Sequence, residues 1–152
     1  MKYLDKFIKS LAGELSILSL IIFLTSLMLN YYLAHLYLFL RIAYNDFKAY
    51  DIYLTDVLLL FFLLLYKYQL NFDPLNIILI IGLYLASKLK YLGLGDIWLI
   101  FIISLFFNAF KLNILIMIAT LFALIYSLIK RTKVIAFGPF IYLALLIFLF
   151  LE

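Results

Sequence analysis

The residues that could do chemistry in this chain are aspartates. Asp96 follows Gly93-Leu94-Gly95 at the joint between two long apolar runs, and Asp46, Asp51 and Asp56 cluster at the joint before an earlier run. An ionised Asp in hydrocarbon costs about 2.5–3.5 kcal/mol on insertion scales. An acid so placed is either held at a water boundary or retained for a reaction. Two carboxyls a few Å apart cannot both ionise, so one stays protonated while the other activates water, and the pair titrates as a unit. That is the requirement of aspartyl hydrolysis. Gly93 and Gly95 permit close backbone approach and give the turn freedom to aim the Asp96 carboxyl.

Other chemistries lack their parts. The chain has no cysteine, which removes disulfides, thiolate-zinc sites and thiol nucleophiles. His35 is the only histidine, too little for a transition-metal site or a serine-histidine triad. It stands within an apolar run and reads as a hydrogen-bonded interior residue. The net charge of +4 comes from basic residues scattered at the ends of apolar runs, not from a nucleic-acid-binding patch. No metal, nucleotide or other cofactor is called for.

The elements that must position these acids are membrane helices. Seventy per cent of the 152 residues are hydrophobic and 13% charged, with a mean hydropathy of +1.24. A chain so poor in polar surface uses lipid as its outer solvent. The apolar runs are continuous rather than alternating, which excludes a transmembrane barrel and predicts an all-α, polytopic protein of about seven spans. Residues 1–13 form an amphipathic basic segment, carrying Lys2, Lys6 and Lys9; residues 14–152 form the transmembrane domain. No cleavable signal is evident.

The expected spans run from Glu14 to Leu29, then to about Tyr44, with His35 and Arg41 on the second; these two could also be one long helix. Asn45 to Asp51 form a polar break. A third span ends near Tyr66. Asp73-Pro74 caps and opens a fourth, ending near Leu89. The fifth runs from the glycine-aspartate joint to about Phe110, the sixth from Lys111 to Ile129, and the seventh from Phe137-Gly138-Pro139-Phe140 to the C-terminus. A cytoplasmic N-terminus places ten of the twelve basic residues inside, with Lys67 and Lys111 outside. The same topology brings Asp46 and Asp96, fifty residues apart, to the cytoplasmic boundary.

Three segments, in order, resemble the type IV prepilin peptidases, intramembrane aspartyl proteases of the GxGD group. Asp46-Phe47-Lys48 followed by Asp51-Ile52 is similar to the family's first aspartate segment. Gly93-Leu94-Gly95-Asp96 is similar to its second, and Phe137-Gly138-Pro139-Phe140 to the stretch that opens its last helix. Tyr53 stands where the family usually has proline, and Trp98 where a lysine is common. The resemblance covers roughly Glu14 to the C-terminus. It implies a six-helix protease core with one preceding helix, in a bacterial or archaeal cytoplasmic membrane. It also implies a substrate: the leader of a prepilin or pilin-like pseudopilin in a pilus, competence or secretion system. Without cysteines or the length for a cytosolic insert, the family's N-methyltransferase half is not expected. Asp46 and Asp96 are then the catalytic pair, with Gly93, Gly95, Gly138 and Pro139 shaping the site.

Each residue also has a plainer role open to it. Asp96 could cap a helix, Asp46 could be a loop charge paired with Lys48, and Asp51 and Asp56 could cap the third span, though either is a runner-up for the partner of Asp96. Asn108 and Asn113 flank the outer ends of the fifth and sixth spans, where water or backbone satisfies them. Phe137 to Phe140 is either a loop with a proline-started helix or a segment packed under the acids. A non-catalytic membrane module, such as a transport or assembly subunit, and a degenerate peptidase are the rival readings.

Overall fold

A computed structural model describes residues 17–49, 52–88, 93–131 and 135–151. Among them the chain is all-helical. The helices are α1 (Ile17–Leu29), α2 (Tyr31–Ala49), α3 (Leu54–Lys67), α4 (Pro74–Lys88), α5 (Leu94–Ser104), α6 (Ala109–Lys130) and α7 (Gly138–Leu151). The basic segment 1–13, Glu14 and Asp51 lie outside the described residues.

The first two expected spans correspond to two separate helices. Asn30 breaks them: its side-chain Oδ1 accepts from the Tyr32 N–H at 2.9 Å, offering the chain a local alternative to continued helix. α1 and α2 then fold back on each other, bringing the Phe23 and Tyr37 rings to 6.5 Å between centroids.

Two expected boundaries move. α2 does not stop near Tyr44 but runs through Asn45, Asp46 and Lys48 to Ala49. Polar residues are tolerated in this last turn, where Lys48 faces the negative end of the helix dipole. α5 ends at Ser104 rather than near Phe110. Its terminal carbonyls have other partners: Asn76 Nδ2 donates to Ser104 O at 2.9 Å and to Phe107 O at 2.8 Å. Asn71 N–H donates to Leu105 O. Asn108 then caps α6, accepting from the Lys111 N–H at 3.0 Å. Asp73 works as expected, accepting from the Leu75 N–H at 3.0 Å, and its second oxygen takes the Ala109 N–H at 2.8 Å.

These contacts define an up-and-down bundle with two distinct ends. One end gathers Asn71, Asp73, Asn76 and the α5–α6 turn, and Tyr31 stacks there on Tyr66 at 6.1 Å. The other gathers the end of α2 and the starts of α5 and α7. Between them lies an apolar core that includes Leu38, Leu60, Leu64, Leu99, Ile103 and Leu145. α7 is the most enclosed element, packing against α2, α5 and α6.

α4 is built the opposite way. Its buried residue is Asn76, whereas Leu75, Ile77, Ile78, Ile81 and Leu85 are exposed. Asn76 therefore holds α4 to the bundle by hydrogen bonds. Asn76→Leu keeps the volume and removes both, so it should destabilise the fold by about 1–3 kcal/mol, read as a lowered melting temperature in detergent. Among the described residues one helix, α6 with 22 residues, is long and apolar enough to cross a membrane by length and composition.

Candidate active site

Three elements deliver the expected site residues to one end of the bundle. Asp46 comes from the last turn of α2 and is only 4% exposed. It is therefore not a solvated loop charge, and Lys48 turns to the Tyr44 hydroxyl at 3.3 Å. Asp96 stands in the first turn of α5, 7% exposed. Gly138 opens α7, and its N–H donates to Asp46 Oδ2 at 3.0 Å.

Asp96 lies within electrostatic reach of Asp46. Its Oδ2 reaches back to the Gly93 N–H at 3.3 Å, the reciprocal half of a capping box. Asp96 is thus not the N-cap, which is Gly93, but an acid of the first turn that bonds back to it, beside Asp46. Asp96 stands in the first turn of α5, and Asp46, carried on the last turn of α2, faces the N-terminus of α7; unsatisfied N–H groups and the helix dipole favour negative charge at both starts. One anion is stabilised there; a second, against the first, is not.

The glycines act by size, not by backbone freedom. No described glycine has a positive φ, so the expectation that glycine is needed to free the turn is not met. A Cβ at Gly95 would come within 2.8 Å of Ile52 Cβ. One at Gly138 would strike Ile52 Cδ1 and lie 2.8 Å from Asp46 Oδ2, and one at Gly93 would stand 3.1 Å from Asp96 Oδ2. Pro139 is buried in the first turn of α7, where its missing N–H costs nothing. The Phe137 to Phe140 segment therefore packs against the acids. Tyr53 precedes α3 with φ −75° and ψ 137°, close to the geometry a proline would impose. Trp98 is 51% exposed and directed away from the interior, edge-on to Phe101 at 6.0 Å.

Asp56 is engaged elsewhere. It is fully buried, and its Oδ1 lies 2.6 Å from Arg41 Nε. Neither the cap nor the catalytic partner weighed from sequence describes it; it is half of an interhelical ion pair. The signal was present, since an Arg and an Asp each set in an apolar run invite pairing. His35 is fully buried and shares a 2.8 Å hydrogen bond with the Tyr142 hydroxyl, as an interior histidine should. Ile52 belongs to the first of the three resembling segments, but nothing in the sequence sets it against two glycines. Groups of three or more His, Cys, Asp or Glu able to hold a metal are absent among the described residues.

The chain matches no protein-family model, none of the curated proteins and no solved structure.

Proposed function

We propose that this chain is an intramembrane aspartyl endopeptidase that removes the leader of prepilins or pilin-like pseudopilins at the cytoplasmic face of a bacterial or archaeal membrane. The observation that carries the reading is that Asp46, held by the Gly138 amide, and Asp96, held by the Gly93 amide, lie within electrostatic reach of each other. Three segments scattered over the sequence, each resembling one part of the family's site, meet at one place.

A polytopic arrangement is supported by the inside-out build of α4, with asparagine buried and isoleucines exposed, and by the apolar residues outward on α1 and α3. The up-and-down bundle agrees with the expected topology, in which the acid end is the basic, cytoplasmic end. A site at that boundary has water, which hydrolysis requires. One carboxylate would take a proton from water as it attacks the scissile carbonyl. The other, protonated, would donate to the leaving amine, and the roles reset when product departs. Lipid and the substrate helix are the implied partners.

A non-catalytic transport or assembly module remains the rival, and the buried Arg41–Asp56 pair is the observation that favours it. Co-expression with a prepilin separates the two. Loss of the leader, seen as a mobility shift and a new N-terminus by mass spectrometry, is expected. An intact leader with the protein present in the membrane would contradict the peptidase reading.

A further inference from the structure

The glycines at two of the three motif segments face the same side chain. Ile52, just before α3 and 8% exposed, lies against Gly95 at the start of α5 and Gly138 at the start of α7. The space a Cβ would need at either glycine is already taken by Ile52. At Gly95 the obstruction is the Ile52 Cβ at 2.8 Å, with Cγ1 and the backbone nitrogen each at 3.3 Å. At Gly138 it is the far end of the chain, Cδ1 together with Cγ1 at 3.2 Å, and also Asp46 Oδ2 at 2.8 Å. An aliphatic wedge thus stands between the two helix starts whose amides hold the acids.

We propose that Ile52 is the positioning residue of the acid pair. Its side chain, seated against Gly95 and Gly138, sets the spacing of the α5 and α7 N-termini and so the separation of Asp96 and Asp46. A β-branched chain suits this task because its χ1 is stiff. The inference rests on the peptidase reading for its effect on catalysis, but not for its geometry.

A double-mutant cycle tests it, because the two glycines meet different atoms of Ile52. Gly95→Ala should lower leader cleavage about tenfold or more through overpacking. The same penalty should persist in an Ile52→Ala background, since alanine keeps the Cβ. In an Ile52→Gly background it should shrink to about twofold or less. Gly138→Ala should be relieved only in part by either change at 52, because its clash with Asp46 remains.

A second readout does not need activity. The chain has no cysteine, so Asp46→Cys with Asp96→Cys gives a unique thiol pair. A short bifunctional thiol reagent should cross-link it with Ile52 present, and the yield should fall about threefold or more with Ile52→Gly. Equal penalties for Gly95→Ala in all three backgrounds, or a cross-link yield indifferent to residue 52, would overturn the proposal. A cross-link that depends on Ile52 in a protein that cleaves no prepilin would support the wedge and refute the peptidase. No cross-link in either background would refute both.

Discussion

Asp46→Asn and Asp96→Asn should each reduce leader cleavage by at least about a thousandfold, within the range that loss of a positioned acid or base produces. The double variant should be no worse than either single one, because groups acting as a unit are lost together. The substitution is chosen for its structural neutrality. Asparagine keeps an oxygen that accepts from the Gly138 amide at position 46 and from the Gly93 amide at position 96. Melting temperatures should therefore stay near that of the parent protein. Leader removal by a prepilin co-expressed with each variant, quantified against protein amount in the membrane, is the measurement. Multiplicative losses in the double variant would mean that the two acids act separately.

Arg41→Leu or Asp56→Leu alone should destabilise the bundle by about 3–5 kcal/mol, because each leaves an uncompensated buried charge. Replacing both should return stability to within about 1 kcal/mol of the parent, since a hydrophobic pair of similar volume often substitutes for a buried ion pair without loss. The pair is well enclosed, with Asp56 fully buried and Arg41 11% exposed. It joins α2, which carries Asp46, to α3. Denaturation of the purified variants in detergent reports the effect. Single variants that melt like the parent would show that the pair is hydrated or neutral in place. A double variant that is stable and still cleaves prepilin would also dispose of the transport reading, which needs those charges.

The sequence reveals the helices through their apolar runs and the acids through their cost in such runs. It conceals what depends on packing. The end of α5 is hidden because Phe101 to Phe110 is apolar but for Ser104 and Asn108, and the partners that release the carbonyls there come from Asn76 and the Asn71 amide, distant in sequence. The extension of α2 past Asn45 is hidden for the converse reason: Asn45, Asp46 and Lys48 have the look of loop residues, and the partner of Asp46, the α7 amide, is distant in sequence. Gly95 and Gly138 were legible as special positions, but not for the right cause. Their role is room for Ile52, and nothing in an Ile marks it as the neighbour of two distant glycines. Asp56 and Arg41 were both visible as charges out of place, and pairing opposite charges across adjacent spans would have joined them.

Everything in the proposed mechanism depends on Asp46 and Asp96 holding one proton between them. Infrared difference spectroscopy of the protein in lipid, titrated through neutral pH, reads this directly from carboxylic-acid C=O absorption. The account predicts a protonated carboxyl at neutral pH whose band is lost, or whose titration moves, in both Asp46→Asn and Asp96→Asn, because each acid feels the charge of the other. A protonated-acid band whose position and titration are unchanged in either variant, or no such band in the parent protein, would contradict it.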